Sequence, residues 1–266
     1  MATRGCKLAD PRQFEAARVC PISSRAEVIF FDATGTLFEV RGSVGAIYSR
    51  IANRHGLRTD PEQLEQAFGR AFLSQPAGLH SLDDELELAL AEKQWWREVV
   101  EGALEGRMAP ESFPGYFEEV FEAFRNAEAW ELYSDTRPGL TRLRSLGYRL
   151  AVISNFDSRL IDLLANLNLH SFFEQAILSW RAGAAKPDAR IFHYALELMR
   201  IPAAGAVHVG DSMEDDVAGA QNAGLTAVLF DRRQIHPDWR DGHRVESFDS
   251  LLRLLGHQPG KDRPPQ

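Results

Sequence analysis

Apolar and polar positions alternate with three different rhythms along the chain. Residues 28–31 form a run of β-branched and aromatic side chains, which predicts a buried β-strand. Across residues 42–129, apolar positions recur three and four residues apart, which is the spacing of amphipathic helices. After Pro138, short apolar runs alternate with amphipathic stretches. This last part of the chain therefore predicts strands and helices in turn.

A regular alternation of strands and helices is typical of a parallel sheet with helices on both faces. The first strand belongs with this sheet, so the long helical stretch is an insertion between the first and second core strands. We therefore predict an α/β fold, a doubly wound parallel sheet with an inserted helical cap. The core comprises residues 26–41 and 130–256, and the cap comprises residues 42–129. We expect residues 1–25 to be a poorly ordered leader and residues 257–266 a polar tail.

Composition and charge narrow the classes of function. The 266 residues are 44% hydrophobic and 26% charged, as in globular proteins. A net charge of −8 argues against a nucleic-acid-binding surface, because phosphate backbones attract positive charge. No apolar run approaches the ~20 residues that span a bilayer, and no secretory signal is evident near the start. We therefore predict a cytoplasmic monomer or homodimer that binds neither membranes nor nucleic acids.

Side chains that can carry chemistry follow four of the predicted core strands. Ligands of doubly wound sheets bind at the carboxyl ends of the strands, so residues at these positions are expected to converge. They are Asp32 after the first strand, Ser154 and Asn155 after the second, Lys186 after the third, and Asp211 with Asp215 and Asp216 after the fourth. Each of these features alone is weak evidence. The four in this order predict one site at one edge of the sheet.

These motifs carry a family resemblance. Asp-x-x-Gly-Thr-Leu from residue 32, Ser-Asn from 154, Lys-Pro from 186 and Gly-Asp-x-x-x-x-Asp from 210 resemble the haloacid dehalogenase superfamily of hydrolases. The helical insertion looks like the cap of its subfamily I, subgroup A. The stretches "RLAVISNFDSRL", "KPDARIF" and "VGDSMEDDVAGAQNAG" are most similar to the rhythmically-expressed-gene-like branch. The resemblance spans residues 28–256 and implies a Rossmann-like core and a hydrolase.

The resemblance also implies roles for individual residues. Asp32 would be the nucleophile that takes a phosphoryl group from a small phosphorylated metabolite, since a carboxylate forms a mixed anhydride that water readily cleaves. Ser154 and the backbone of Asn155 would hold the phosphoryl oxygens. Lys186 would neutralise charge on the nucleophile and on the transferring group. The resemblance thus predicts a phosphatase-like reaction centred on Asp32.

The same resemblance implies a Mg²⁺ site. Its ligands would be the carboxylates of Asp32 and Asp211 together with the carbonyl of Thr34, and Mg²⁺ prefers such a small set of oxygen ligands. Asp216, and with less support Asp215, would brace this shell. Two neighbouring carboxylates repel each other unless a cation lies between them. We therefore predict a magnesium-dependent enzyme.

Thr34 departs from the pattern of the phosphatases in this superfamily. They usually carry a second acid two residues after the nucleophile, which protonates the leaving oxygen and then deprotonates water, and such catalysis is worth ~10²–10⁴ in rate. A threonine hydroxyl cannot replace it near neutral pH. We therefore expect weakened turnover. Two alternatives stay open: a non-catalytic protein that binds a phosphorylated ligand or a partner, and a 2-haloacid dehalogenase, which ranks lower because Asp211 is retained.

Several further residues have two interpretations. Arg41 leads from the first motif into the cap and is either an anion contact or a solvated hinge arginine. Trp95 and Trp96 lie in the middle of a predicted cap helix; one should belong to the cap core, and Trp95 is our candidate for a substrate contact. His208 is interpreted as a core residue. Glu214 is interpreted as an acid in the first turn of a helix, where the helix dipole favours it.

Overall fold

In the computed structural model of the chain, residue 22 and the ranges 26–75 and 84–258 are described. The predicted leader lies outside these residues apart from Ile22. The predicted tail lies outside them from residue 259 onward. The structural account below concerns the described residues.

Six strands form one fully parallel sheet in the order β5-β4-β1-β6-β7-β8. A two-stranded antiparallel ladder, β2-β3, lies apart from it. The strands are β1 (Val28–Phe31), β2 (Phe38–Val40), β3 (Trp130–Leu132), β4 (Arg149–Ser154), β5 (Gln175–Leu178), β6 (Ala206–Gly210), β7 (Thr226–Phe230) and β8 (His243–Val245). Strand β1 is central and buried on both faces, which explains its continuous apolar run.

Among the described residues, four α-helices lie between β2 and β3, and the other helices lie among and after the strands that follow β3. In chain order they are α1 (Val44–Arg54), α2 (Pro61–Ser74), α3 (Glu85–Leu104), α4 (Phe113–Ala123), α5 (Thr136–Ser145), α6 (Arg159–Asn166), α7 (Ser179–Ala182), α8 (Ala189–Met199), α9 (Gly219–Asn222) and α10 (Phe248–Leu254). None of these helices, within the part of the chain that the structure describes, is long and apolar enough to cross a membrane.

The two faces of the sheet bury two separate apolar clusters. Ile29 and Phe31 of β1 point into a cluster that includes residues of α5, α6 and α10. Val28 and Phe30, the alternate residues of the same strand, point into a second cluster built with α8 and α9. Helices therefore cover both faces, and the predicted doubly wound parallel sheet is confirmed.

Helices α1 to α4 occupy the predicted insertion, and their starts follow from local chemistry. Asp60 accepts hydrogen bonds from two backbone N–H groups of α2, with Pro61 in the first turn. Asp84 caps α3 in the same way. Gly45 allows α1 to approach α2 closely, because a Cβ there would lie 2.1 Å from the carbonyl oxygen of Pro61.

Sequence patterns missed the short elements. The β2-β3 ladder pairs Phe38 with Leu132 and Val40 with Trp130, so it joins the two chain segments that flank the insertion. Three-residue strands are too short to show a period, and β8 and α7 were missed for the same reason. The division into core and cap at residues 41/42 and 129/130 stays a prediction.

One predicted helix has a different geometry. The helix whose first turn was predicted to hold Glu214 opens with a π-helical segment, Met213–Ala218, and α9 continues from it. Ser212 accepts a hydrogen bond from the N–H of Asp215, and its own N–H donates to Asp216. These contacts widen the first turn beside the candidate site, where π-helical turns are common.

Candidate active site

Three strand ends place their polar residues at the same edge of the sheet. Asp32 directly follows β1, Ser154 is the last residue of β4, and Asp211 directly follows β6. The backbone N–H of Asp32 donates to the carbonyl of Val209 (2.9 Å). This hydrogen bond holds the backbone of Asp32 against strand β6. All three side chains line one cavity of about 310 Å³.

Lys186 makes two buried ion pairs in this cavity. Its Nζ lies 2.6 Å from Oδ1 of Asp32 and 2.6 Å from Oδ1 of Asp216. Burial alone would lower the pKa of Lys186, but the attraction of Asp216 and Asp32 outweighs burial and raises it above its usual value. The ammonium group therefore stays charged and joins residues that are 154 and 30 positions away along the chain.

Asn155 positions the loop that carries Lys186. Its amide nitrogen donates to the carbonyl of Lys186 (2.9 Å), and its amide oxygen accepts from the N–H of Lys186 (2.8 Å). This pair of hydrogen bonds holds the loop against the end of β4. Ser154 accepts a hydrogen bond from the N–H of Phe156 through its Oγ (3.2 Å), so its own hydroxyl proton can be donated to a ligand in the cavity.

Asp216 is buried in the floor of the cavity and is held from several sides. Besides Lys186, it accepts from the N–H of Ser212 (3.0 Å) and lies 2.9 Å from Nε2 of His208. Burial raises the pKa of Asp216, but Lys186 and His208 together hold it below its usual range. Burial lowers the pKa of His208, so the ring is neutral and carries its proton on Nε2, which donates to Asp216.

The carboxyl groups of Asp32 and Asp211 have raised pKa values. For Asp32, burial is the main cause; Lys186 lowers the pKa, Asp216 and Asp211 raise it, and the value is about 7. For Asp211, removal of water by the surrounding protein, together with the charge of Asp216, raises the pKa to about 6. For both groups, burial and the negative charge of neighbouring carboxylates outweigh the positive charge of Lys186, which lowers the pKa of each.

The residues present fit a divalent cation. One oxygen each from Asp32, Asp211 and Asp216 lies within 4.8 Å of the others. Gly35 leaves room for this arrangement, because a Cβ there would lie 2.2 Å from Oδ2 of Asp211. Carboxylate oxygens are the ligands that Mg²⁺ prefers. Both carboxylate oxygens of Asp216 already accept hydrogen bonds, Oδ1 from Lys186 and His208 and Oδ2 from the N–H of Ser212, so Asp32 and Asp211 are the carboxylates best placed to hold the ion.

The remaining residues of the predicted site lie near this centre. Thr34 is exposed at the junction of the first cavity with a second cavity of about 590 Å³, and Asp211 lines both. Asp215 also lines the first cavity, and burial followed by the charge of Asp216 raises its pKa. The structure therefore brings together eight of the ten residues that the sequence singled out.

Arg41 and Trp95 lie elsewhere. The guanidinium of Arg41 donates to the carbonyls of Glu128 (3.2 Å) and Trp130 (3.1 Å), which links the end of β2 to the start of β3, and Arg41 does not line the cavity. Trp95 packs edge-on against Trp96, with 5.0 Å between ring centroids. It is Trp96 that lines the cavity.

Sequence reasoning missed Arg159. This buried arginine lines the cavity and forms a bidentate ion pair with Asp157, with distances of 2.9 and 2.6 Å. Its guanidinium also donates to the carbonyl of Phe121 and stacks on that ring and on Trp96, with centroid distances of 4.0 and 4.9 Å. A cation in the first turn of a helix opposes the helix dipole. An arginine at this unfavourable position was the feature of the sequence that could have indicated a buried ion pair.

Aromatic side chains form most of the cavity wall above the polar floor. The inserted segment contributes Tyr48, Phe68, Phe72, Trp96, Phe121 and Phe124, and the core contributes Trp130 from β3 and Phe156 from the loop after β4. In the sequence, these residues appeared only as apolar positions at helical spacing. Which of them face the cavity depends on how the four helices are rotated against the sheet.

Glu92 joins the inserted helices to the core beside this wall. Its carboxylate accepts hydrogen bonds from the N–H of Ser158 (3.0 Å) and from the Ser158 hydroxyl. The side chain is buried, and burial is the main reason why the pKa of Glu92 is raised to about 7; the charge of Asp157 raises it further, and Ser158 and Arg159 lower it.

We expect Glu92→Gln to change how stability depends on pH. A folded-state pKa above the ordinary 4.5 means that the folded protein binds the proton more tightly, so Glu92 costs stability as pH rises from about 4.5 to about 7. Glutamine lacks this titration and keeps an acceptor for Ser158. Urea unfolding measures the free energy of unfolding of both proteins at pH 5 and pH 8. Relative to the wild type, the free energy of unfolding of the variant should rise by about 1–3 kcal/mol from pH 5 to pH 8.

The control for this measurement is Glu101→Gln, an exposed glutamate on the same helix. It corrects for the loss of one negative charge from α3. A stability difference between Glu92→Gln and wild type that stays the same from pH 5 to pH 8 would contradict the raised pKa.

The fold and the site together define a Rossmann-like hydrolase with an aspartate and a lysine paired at the carboxyl edge of its sheet. The family model "haloacid dehalogenase-like hydrolase" matches residues 26–224. The chain therefore belongs to the haloacid dehalogenase-like hydrolase family, and the resemblance inferred from its motifs is confirmed.

Curated relatives agree with this assignment. The human "haloacid dehalogenase-like hydrolase domain-containing protein 3" is 34% identical over 245 residues, which cover 88% of this chain and 96% of that protein. The "rhythmically expressed gene 2 protein" of Drosophila melanogaster is 29% identical over 255 residues, or 86% and 98% of the two chains. The "glyceraldehyde 3-phosphate phosphatase" of Methanothermobacter thermautotrophicus is 39% identical over 131 residues, or 46% and 58%.

A solved structure shares the fold. The crystal structure of a "HAD phosphatase" from Thermococcus onnurineus superposes with a TM-score of 0.61 at 22% identity, and the match covers 87% of this chain and 99% of that one. The family and its phosphatase relatives identify this protein as a hydrolase.

Proposed function

We propose that this hydrolase removes the phosphoryl group from a small phosphate ester through a covalent intermediate on Asp32. The observation that carries the proposal is the buried ion pair of Asp32 and Lys186 with the exposed carboxylate of Asp211 beside it, at the edge where the strands end. A carboxylate that is paired with a lysine and lies next to a second carboxylate suits attack on phosphorus with a cation nearby. The phosphatase among the relatives supports the same class of substrate.

The chain's own residues divide the work in two half-reactions. In the first, the Asp32 carboxylate attacks phosphorus while the bond to the leaving oxygen breaks. Lys186 holds Oδ1 of Asp32 in place, and Ser154 and the Asn155 backbone bind phosphoryl oxygens. In the second, a water oxygen attacks phosphorus and Asp32 leaves as the free carboxylate. Asp32, Asp211 and the Thr34 carbonyl would hold Mg²⁺, which would supply positive charge that offsets the negative charge of the phosphoryl oxygens.

Thr34 limits both half-reactions in this proposal. No acid at this position protonates the leaving oxygen, and no base there activates the water. Leaving groups that depart as stable anions escape the first requirement, so the enzyme should favour acyl and aryl phosphates over alkyl phosphates. Dehalogenation is disfavoured, because a halide needs no cation and Asp211 would only repel the Asp32 nucleophile.

A substrate panel tests this function directly. Acetyl phosphate and nitrophenyl phosphate should be hydrolysed in the presence of Mg²⁺ and not after chelation, whereas 2-chloropropionate should release no chloride under either condition. Chloride release without phosphate release would establish the dehalogenase instead. Binding of phosphate without turnover of any ester would establish the non-catalytic alternative.

Asp211→Asn is expected to weaken Mg²⁺ binding at least about tenfold, because it removes one of the two carboxylate charges that hold the cation. Isothermal titration calorimetry with MgCl₂ measures the affinity. The matched control is Glu214→Gln, three residues along, which removes one exposed charge outside the cavity and should bind Mg²⁺ like the wild type. Equal affinity of Asp211→Asn and wild type would refute the metal assignment.

A further inference from the structure

The wall of the cavity above Asp32 differs from its floor in polarity. The floor carries the ionisable residues of the site, and the wall carries aromatic and aliphatic side chains from both the inserted helices and the core. Its volume of about 310 Å³ lies at the lower end of the range of ligand pockets. The part of a substrate that leaves with the ester oxygen must therefore be small and apolar enough to lie against Phe72, Trp96, Phe121, Phe124 and Trp130.

The described residues of the wall offer no free charge to a second ionic group. The one charged side chain among them that lines the cavity away from the floor is Arg159. Asp157 neutralises its guanidinium through two hydrogen bonds, and the rings of Phe121 and Trp96 cover it. A second phosphate or carboxylate on the substrate would lose its water there without gaining a partner of opposite charge, which is unfavourable. The leaving group is therefore uncharged.

The second cavity does not provide an alternative place for this group. It shares Thr34 and Asp211 with the first, but Asp32, Ser154 and Lys186 line only the first. Its remaining charged residues are the carboxylates Glu39, Glu65 and Glu131 with Arg233, which already pairs with Glu39. A leaving group attached to a phosphoryl group at Asp32 and Lys186 thus extends into the aromatic cavity.

We propose that the substrate is an aryl phosphate, the phosphate monoester of a small uncharged phenol. This inference rests on the proposed function and is carried by two independent observations, the aromatic wall and Thr34. A phenol ionises near pH ~10, as tyrosine does, and an alkyl alcohol is a far weaker acid. The phenolate therefore leaves without the proton that Thr34 cannot supply, and its ring is what the wall binds.

The reaction balances without any further reactant. Asp32 forms a bond to phosphorus, the bond from phosphorus to the phenolic oxygen breaks, and the phenolate keeps the electron pair. Water then attacks phosphorus, the bond to Asp32 breaks, and one proton of the water ends on the phenolate. The products are the phenol and inorganic phosphate.

Four substrates separate recognition of the ring from acidity of the leaving group. Phenyl phosphate has both, benzyl phosphate has the ring alone, acetyl phosphate has the acidity alone, and 2-hydroxyethyl phosphate has neither. KM should be about tenfold or more lower for the two aromatic esters than for 2-hydroxyethyl phosphate. The kcat should instead follow acidity and be higher for phenyl than for benzyl phosphate. Equal KM values for aromatic and hydroxyethyl esters would overturn the inference.

Phe72 and Leu73 provide a matched pair of variants. Phe72 lines the cavity and is 42% exposed, so Phe72→Ala should fold; its neighbour Leu73 is 85% exposed and does not line it. Phe72→Ala should raise the KM for phenyl phosphate about tenfold relative to that for acetyl phosphate. Leu73→Ala should leave this ratio unchanged. An unchanged ratio in Phe72→Ala, with an unchanged melting temperature, contradicts ring binding at this wall.

A binding experiment keeps the two proposals apart. Calorimetry with Mg²⁺ present compares phenylphosphonate with 2-hydroxyethylphosphonate, neither of which has an ester bond to hydrolyse. Binding of phenylphosphonate about tenfold more tightly supports the aromatic ligand even if no ester is turned over, in which case only the proposed hydrolysis fails. Equal binding of both overturns the aryl substrate even if acetyl phosphate is hydrolysed.

Discussion

Asp32→Asn is expected to reduce hydrolysis of nitrophenyl phosphate by on the order of 10⁴-fold or more, because an amide cannot attack phosphorus in place of the carboxylate. The protein should remain folded, since Lys186 keeps its ion pair with Asp216 and one of three neighbouring carboxylates is removed. Phosphate release measures the activity. Mass spectra of acid-quenched protein should show a phosphoryl adduct on the wild type and none on the variant.

The matched control is Asp162→Asn, the same substitution at an exposed position of α6 outside the cavity. It should retain wild-type activity. If Asp32→Asn folds with an unchanged melting temperature and still hydrolyses the ester at a comparable rate, Asp32 is not the nucleophile. The phosphoryl adduct would then be sought on another residue of the cavity.

Thr34→Asp is expected to raise the hydrolysis of alkyl phosphates by ~10²–10⁴, the range typical of general acid–base catalysis. The new carboxyl group would protonate the leaving alkoxide and then take a proton from water. Thr34 is exposed where the two cavities meet, so the site can accommodate the change. The gain should be smaller for acetyl phosphate, which needs no proton on its leaving group. Values of kcat/KM for the two ester classes measure this difference.

Thr34→Asn controls for size and polarity without adding an acid, and it should show no gain on either class. If Thr34→Asp folds, binds Mg²⁺ and improves no substrate, the missing acid is not what limits the enzyme. The non-catalytic binding protein would then become the better interpretation of this site.

The elements that could be predicted are those whose signal is local. Strand β1 is buried on both faces, so its four apolar residues are visible without any knowledge of their neighbours. Helix α2 begins at Pro61 after the Asp60 cap, which are both local signals. Parallel strands bring their carboxyl ends to one edge, so Asp32 and Asp211 could be placed together from topology alone.

The features that escaped prediction depend on contacts between distant segments. Arg159 pairs with Asp157 but donates to a carbonyl 38 residues away, and Glu92 binds Ser158 across 66 residues. Trp95 and Trp96 are adjacent and equally apolar, and only the rotation of α3 against the core decides which ring faces the cavity. Strands of three residues, such as β2 and β3, are too short to show a period at all.

The sequence by itself determined the α/β architecture, the family and the set of polar residues at the sheet edge. Strand burial, helix caps and motif spacing depend on residues that are close together in the chain, so they can be recognised without the tertiary structure. The tertiary structure decided what those residues contact. In the folded protein, Lys186 lies between Asp32 and Asp216, and the Asn155 side chain holds the loop that carries Lys186. Aromatic side chains of four helices face one cavity. Such contacts depend on the relative rotation and distance of packed elements, which no local pattern encodes.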